Sequence, residues 1–96
     1  MAGMTLEKGP AIVTGAAGGM GRECARLLAE AGWKELILCD LDEKRLQSVA
    51  ETARDKGASA DILVGEITDP SFMENLRTMI GARGIGAVIH TAGVAP

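Results

Sequence analysis

Residues 12–21 read IVTGAAGGMG, an apolar run that leads directly into a turn of closely spaced glycines. A second apolar run, LILC at residues 36–39, ends at Asp40, about 20 residues beyond the glycines. These segments predict a strand, a glycine turn, a helix and a second strand that ends in a carboxylate. That arrangement binds a dinucleotide, with the pyrophosphate at the turn and the adenosine ribose at the carboxylate.

Each glycine of the turn has a physical role. Gly15 lets the chain reverse sharply after the strand, and Gly19 lets the backbone approach a pyrophosphate. Gly21 lies inside the helix, where a missing side chain allows close packing on the first strand and directs the positive end of the helix dipole at the phosphates. Arg22 and Glu23 follow the last glycine, whereas a P-loop requires Lys and then Ser or Thr there. We therefore expect a dinucleotide and not a nucleoside triphosphate.

Asp40 predicts which dinucleotide binds. A carboxylate accepts hydrogen bonds from the ribose hydroxyls but repels the additional phosphate of NADP. The glycine turn contains no Arg or Lys, and none follows Asp40 directly. Asp40 could instead cap the next helix, but Asp42 is better placed for that role, which would leave Asp40 free for the ribose. The predicted cofactor is NAD(H).

The rest of the chain continues the alternation of strands and helices. We expect a helix that starts at Leu41-Asp42-Glu43-Lys44 and ends near Gly57, then a strand over 60–64. A third helix should run from Thr68-Asp69-Pro70 to the glycines of residues 81–86, and a fourth strand should follow over 87–91. The predicted fold class is α/β, a Rossmann-type doubly wound parallel sheet of which the chain supplies the first β-α-β-α-β-α-β part. The expected strand order is 3-2-1-4, with the fourth strand as an open apolar edge.

Helical spacing of apolar residues predicts which helix faces are buried. The face expected for the first helix, which should end at Gly32, is Met20, Cys24, Leu27, Leu28 and Ala31. The face expected for the second helix is Leu46, Val49, Ala50 and Ala53. The face expected for the third helix is Phe72, Leu76, Met79 and Ile80.

Composition excludes several function classes. The chain is 47% hydrophobic with a net charge of −3, and its apolar runs are far shorter than the roughly 18 residues of a membrane span. Without a basic excess or an aromatic stripe, nucleic-acid binding has no support. Cys24 and Cys39 lack the close pairing of a metal or redox motif, so we expect two reduced core residues, no metal site and a cytoplasmic protein.

His90 and Trp33 each invite a functional role, but the structural interpretation is simpler. His90 is the only histidine and has no carboxylate or nucleophile motif beside it, so we do not place it among catalytic residues. Trp33 follows Gly32 and is best explained as an aromatic side chain that fills a loop.

The pattern Thr14-Gly15-x-x-x-Gly19-x-Gly21 resembles the cofactor motif of the short-chain dehydrogenase/reductases, and essentially the whole chain resembles the N-terminal half of such an enzyme. The resemblance implies that the glycine turn lines the pyrophosphate, that Asp40 holds the ribose, and that the segments after the third and fourth strands line the adenine and the rest of the cofactor. The implied cofactor-binding residues are Gly15, Ala17, Gly18, Gly19, Met20, Asp40, Leu41, Glu66, Ile67, Ala92 and Gly93. Ordinary loop structure also explains several of them, most easily Leu41 and Ile67.

One departure from the classical family pattern leaves the subfamily open, and a second affects the expected adenine site. Residues 90–93 read HTAG, where classical members have Asn-Asn-Ala-Gly, and this resembles the extended members such as sugar-nucleotide epimerases. Gly15, Gly18 and Gly21 also fit the extended glycine spacing. Glu66 stands where both subfamilies commonly have Asp, a change that affects only the detailed geometry at the adenine.

The resemblance also implies a catalytic pair that the chain lacks. Hydride transfer in this family relies on a Tyr-x-x-x-Lys segment, and the 96 residues contain no tyrosine. We therefore predict no catalytic residue here and expect residues 1–96 to be one NAD(P)-binding Rossmann domain, inactive alone. It would be the N-terminal part of a longer, single-domain, homo-oligomeric enzyme that acts on the alcohol or carbonyl group of a small molecule. The alternatives are an extended-type sugar-nucleotide epimerase or dehydratase and, if the 96 residues are complete, a non-catalytic NAD-binding module.

Overall fold

The computed structural model describes residues 9–91 and confirms the predicted alternation of strands and helices. The elements are β1 (Ala11–Thr14), α1 (Gly19–Glu30), β2 (Glu35–Asp40), α2 (Glu43–Asp55), β3 (Ser59–Val64), α3 (Pro70–Ile80), a short 3-10 turn (Gly81–Arg83) and β4 (Ala87–His90). The observed ends differ from the predicted ends by only a few residues. The fourth strand, for example, ends at His90 and not at Thr91.

The four strands form one parallel sheet in the order β3-β2-β1-β4, as predicted. β1 lies between β2 and β4, with Val13 paired to Leu38 on one side and to Ile89 on the other. All four residues of β1 are buried, as expected for a central strand covered on both faces. Because the strands are parallel, their carboxyl ends lie along the same edge of the sheet.

Two hydrophobic clusters cover the two faces of the sheet. The first joins α1 and α2 to one face and contains Val13, Leu36 and Leu38 with Leu46 and Ala50. The second joins α3 to the opposite face. Its buried members are Ile12, Ile37, Cys39, Phe72, Leu76 and Ile80. Helices on both faces make this a doubly wound sheet, and the buried faces predicted for α2 and α3 are confirmed.

The face predicted for α1 is wrong in part. Met20 is 73% exposed and Leu27 is 51% exposed, and Ala31 is exposed as well. The buried positions of α1 are Gly21, Ala25 and Ala29, and only Cys24 and Leu28 of the predicted set pack partly against the core. The small residues form the contact because α1 lies too close to the sheet to leave room for long side chains.

Gly21 shows how close this approach is. A Cβ at Gly21 would overlap the carbonyl oxygen of Gly15 and lie 2.7 Å from its carbonyl carbon. Both atoms are backbone atoms, so no side-chain rotation could relieve the overlap. The predicted role of Gly21 in helix-to-strand packing is therefore confirmed.

The side chains that cap the starts of α2 and α3 are those that the sequence predicted. The Asp42 carboxylate caps α2 by accepting the Arg45 N–H at 3.1 Å, and Asp69 caps α3 by accepting the Ser71 N–H at 3.0 Å. Trp33 is half-buried against the first cluster. A Cβ at Gly86 would lie 2.8 Å from Cζ3 of the Trp33 ring, so the ring fills the space over the segment before β4.

The first testable prediction concerns Gly21. In the intact protein, Gly21→Ala should lower the free energy of unfolding by about 1–3 kcal/mol, the usual cost of overpacking, because the added methyl group meets the backbone of Gly15. Urea denaturation measures this loss. Gly19→Ala is the matched control, since a Cβ there meets no atom within 4 Å, and it should leave stability unchanged or raise it. Equal midpoints for the two variants would contradict the packing argument.

Candidate functional site

The carboxyl ends of all four strands open into one cleft of about 470 Å³. Its lining residues are Thr14, Gly15, Cys39, Asp40, Leu41, Gly65, Glu66, Ile67, Phe72, His90 and Thr91. The cleft lies where the strand order reverses, with β2 on one side of β1 and β4 on the other. Doubly wound sheets bind their ligands at this switch point.

The glycine turn connects β1 to α1 at the edge of this cleft. Gly15 has φ +68°, a conformation that glycine adopts without cost. The Ala16 N–H donates to the Cys39 carbonyl at 3.0 Å, and the Gly18 N–H donates to the Gly15 carbonyl at 3.1 Å. These bonds hold the turn between β1 and β2.

The start of α1 suits an anion. Gly18, the residue before the helix, makes no side-chain cap, and the first turn contains no acidic residue. A Cβ at Gly19 would meet open space, so the backbone is accessible there. N–H groups and a positive dipole end without a protein acceptor form the kind of site that holds a pyrophosphate.

Asp40 connects the cleft to the glycine turn. Its Oδ2 accepts the Ala17 N–H at 2.9 Å, and its Oδ1 accepts the Leu41 N–H at 2.6 Å and, more weakly, the Asp42 N–H at 3.4 Å. The expectation that Asp42 would leave Asp40 free is therefore wrong in part. Asp42 does cap α2, yet the Asp40 carboxylate is already bonded to the backbone. An ionised carboxylate offers about four acceptor sites, so it still has capacity for a ribose hydroxyl.

Apolar side chains lie on the rim of the cleft beyond Asp40. Leu41 is 62% exposed and Ile67 is 40% exposed, and both line the cleft together with Glu66. The Thr68 hydroxyl lies 3.3 Å from Oε2 of Glu66. Exposed apolar side chains can cover a flat ring, and the carboxylate beside them can accept a hydrogen bond from an amino group on that ring.

The end of β4 is tied to the turn by hydroxyl groups. Thr14 Oγ1 and His90 Nδ1 are 2.6 Å apart. The Thr91 hydroxyl donates to the Thr14 carbonyl at 2.7 Å and lies 3.2 Å from the Gly15 carbonyl. This bonding supports the structural interpretation of His90. Thr14 opens the glycine motif, but neither Thr14 nor Thr91 was among the predicted site residues, although hydroxyl residues at two adjacent strand ends were a usable signal.

The structure brings most of the predicted residues together. Gly15, Asp40, Leu41, Glu66 and Ile67 line the cleft, and Ala17 is hydrogen-bonded to Asp40. Three further predicted residues, Gly18, Gly19 and Met20, continue the chain from the turn into α1. Ala92 and Gly93 lie outside the described residues.

Sequence reasoning also missed a second, smaller pocket of about 260 Å³, lined by Ala17, Arg22, Arg45, Ser48 and Val49. The turn itself and the position directly after Asp40 contain no basic residue. Folding brings two arginines to Ala17 from positions farther along the chain.

Residues 10–96 match the family model of the short chain dehydrogenases. The chain belongs to the short-chain dehydrogenase/reductase family. It is 34% identical over 93 residues to the 1-deoxy-11-beta-hydroxypentalenate dehydrogenase of Streptomyces avermitilis, a match that covers 95% of this chain and 34% of that protein. The chain thus spans about a third of the length of this curated relative.

Solved structures of the family share the fold. A short-chain type dehydrogenase/reductase from Mycobacterium marinum aligns with a TM-score of 0.81 at 26% identity, covering 95% of this chain and 37% of that one. A short-chain dehydrogenase from Sphingobium yanoikuyae in complex with NADPH aligns with a TM-score of 0.74 at 32% identity, covering 90% of this chain and 35% of that one. These comparisons identify a family of nicotinamide-dependent oxidoreductases, and they support neither the epimerase nor the non-catalytic alternative.

Two further features of this short-chain dehydrogenase/reductase chain bear on the site. Within residues 9–91, no three His, Cys, Asp or Glu side chains gather as a possible metal site. In the same range no helix meets the length and hydropathy of a membrane span. Both cysteines are free thiols.

Burial at the cleft wall, together with the adjacent negative charge of Asp40, raises the pKa of the Cys39 thiol to about 12. An unfolded thiol loses its proton near pH 8.5, whereas the folded one keeps it until about pH 12. The unfolded state therefore binds fewer protons between these values, and stability falls as pH rises through this window.

The second prediction follows from this difference. Above pH 8.5 the unfolding free energy of the intact protein should fall with pH more steeply than that of Cys39→Ala, by up to about 1.4 kcal/mol for each pH unit. Urea denaturation of both proteins at pH 8, 9 and 10 measures the two slopes. Parallel slopes would show that Cys39 titrates alike in the folded and unfolded states.

Proposed function

We propose that the protein is an NAD(H)-dependent oxidoreductase that transfers hydride between the cofactor and an alcohol or carbonyl group of a small-molecule substrate. The observation that carries this proposal is the Asp40 carboxylate, which lies at the end of β2 on the cleft wall and bonds to Ala17 of the glycine turn. Membership of the family supports the reaction class.

The proposed cofactor site assigns one role to each group of residues. Gly15, Ala17, Gly18, Gly19 and Met20 hold the pyrophosphate through the turn and the start of α1. Asp40 accepts a hydrogen bond from the adenosine ribose. The remaining proposed contacts are Leu41, Glu66 and Ile67 at the adenine, and Ala92 and Gly93 after β4.

The choice of NAD over NADP rests on charge. The Asp40 carboxylate would face a 2′-phosphate at short range, and two negative charges at such a distance repel each other. The Sphingobium yanoikuyae structure contains NADPH, so the family includes members that bind the phosphorylated cofactor. In this chain, Asp40 is the feature that favours NAD, which lacks the 2′-phosphate.

In this proposal the described residues bind and orient the cofactor, and groups elsewhere in the protein transfer the proton. When bound, the nicotinamide supplies the hydride or accepts it. The N–H groups at the start of α1 neutralise phosphate charge, and Asp40 sets the position of the adenosine half. We propose that residues 1–96 are the N-terminal part of a longer single-domain enzyme whose proton donor, a tyrosine, belongs to another segment.

Assembly and location stay predictions. We propose a homo-oligomer, because β4 pairs only with β1 among the described strands and its Val88 is largely exposed. The two free cysteines suit a reducing cytoplasm.

The third prediction tests the role of Asp40. Asp40→Ala removes bonds from hydroxyl groups to a charged acceptor, each worth about 1.5–3 kcal/mol, so the Kd for NAD should rise at least tenfold in calorimetric titration of the intact protein. Asp42→Ala is the matched control, because it removes a nearby carboxylate that caps α2. It should cost about 1 kcal/mol of stability and leave the Kd for NAD unchanged. Wild-type protein that binds NADPH as tightly as NAD would contradict the cofactor assignment.

The fourth prediction tests the phosphate site. Gly19→Val should weaken NAD binding strongly and the fold little, because the branched side chain would enter the open space where we place the pyrophosphate. Calorimetry gives the affinity and urea denaturation gives the stability. Met73→Val, at an exposed position in α3, is the control for adding valine to a helix. Unaltered NAD affinity in a folded Gly19→Val protein would show that the phosphate site is misassigned.

A further inference from the structure

His90 ends β4 on the wall of the cleft, beside the end of β1. In the parallel register it is paired with Thr14, and its Nδ1 lies 2.6 Å from Thr14 Oγ1. Thr14 is 7% exposed, whereas His90 is exposed and lines the cleft. A buried hydroxyl next to the glycine turn therefore holds one ring nitrogen of a residue that borders the space for a ligand.

The hydroxyl partner lets His90 gain or lose a proton and keep this hydrogen bond. A neutral imidazole can accept at Nδ1, and the Thr14 hydroxyl then donates. An imidazolium donates from Nδ1, and the same hydroxyl then accepts through a lone pair. Within residues 9–91 the Thr14 hydroxyl has no other hydrogen-bond partner, so its direction can reverse. A carbonyl or an N–H group in its place would favour one protonation state of the ring.

The cleft contains negative charge but no permanent positive charge. Asp40 at the end of β2 and Glu66 after β3 supply two carboxyl groups, and none of the lining residues is a Lys or an Arg. From α3 only Phe72 lines the cleft, and the glycine turn carries no charged side chain. His90 is therefore the only lining residue that can become a cation.

The protonation of His90 should change the charge of the cleft in the neutral pH range. Histidine is the side chain that ordinarily changes charge between pH 5 and 8. Cys39 stays neutral throughout that range, because burial and the charge of Asp40 raise the pKa of its thiol to about 12. An anion bound at the glycine turn would favour the imidazolium, and by reciprocity the imidazolium favours the anion.

We propose that His90 couples anion binding in this cleft to proton uptake, so that the dinucleotide binds more tightly as the pH falls from about 8 to about 5.5. This inference rests on the proposed function, since the pyrophosphate of the cofactor is the anion. His90 takes no part in hydride transfer. It sets the charge that the cleft offers to the cofactor, and a bound pyrophosphate draws a proton onto its ring.

The test measures the Kd of the intact protein for NAD by calorimetry between about pH 8.5 and about pH 5.5. The Kd of wild-type protein should fall at least roughly threefold over this range, and by no more than about tenfold for each pH unit, the limit for one proton. His90→Asn retains groups that can bond to the Thr14 hydroxyl but does not titrate, so its Kd should be independent of pH. His90→Gln serves the same purpose if His90→Asn does not fold.

Glu66→Gln is the matched control, because it removes another titratable group from the cleft and retains His90. Whatever its absolute Kd, the dependence of that Kd on pH should match the wild type. Titrations near neutral pH in two buffers of different ionisation enthalpy count the protons directly. We expect wild-type protein to take up part of one proton and His90→Asn to take up none. NAD binding without proton uptake, or a pH dependence that persists in the His90 variants, would overturn the proposal.

A second anion separates this proposal from the proposed function. Sulfate keeps its two negative charges over the whole range, and its binding to the folded state raises the melting temperature. Sulfate also stabilises folded proteins in general, so the comparison is with His90→Asn at the same pH. The additional rise in wild-type protein should be larger at low pH than at high pH.

The two probes fail in different ways. Wild-type protein that does not bind NAD at any pH would refute the cofactor assignment, and a response to sulfate that depends on His90 would still support the coupling. Wild-type protein that binds NAD with the same Kd at every pH would refute the coupling and leave the cofactor assignment intact. Responses to both probes that do not depend on His90 would also refute the coupling.

Discussion

The close contact between Gly21 and Gly15 is the constraint on which the rest of the structure depends. It lets α1 lie against β1 with only small residues between them, so Ala25 and Ala29 are buried where longer side chains would not fit. Because α1 starts at the carboxyl edge of the sheet, its positive end faces the cleft. The same contact therefore determines the packing of the first core cluster and the polarity of the site.

Local patterns explain why the sequence predicted the architecture. Alternating apolar runs and glycines specified the elements, and the caps at Asp42 and Asp69 act within three residues of themselves. The buried face of α1 was mispredicted because large apolar residues were counted, whereas the small residue Ala25 makes the contact.

Predictions at the site failed where the deciding contact joins distant parts of the chain. The bond from Ala17 to Asp40 spans 23 residues, so the sequence alone did not reveal that this carboxylate was already engaged. Arg22 and Arg45 reach one pocket from two different helices. Reading along the chain finds residues of the right chemistry, but only the packing of α1 against α2 shows which of them share a space.

The turn at Gly15 is held from two sides, by the Asp40 carboxylate through Ala17 and by the Thr91 hydroxyl beyond β4. These bonds remove much of the conformational freedom that a loop rich in glycine would otherwise have. The entropy of ordering the loop is therefore lost when the protein folds and not when a ligand arrives, which favours affinity through preorganisation. A change that loosens the end of β4 would therefore weaken ligand binding, because the loop would then lose its entropy when the ligand binds. It would do so although it lies away from the proposed phosphate site.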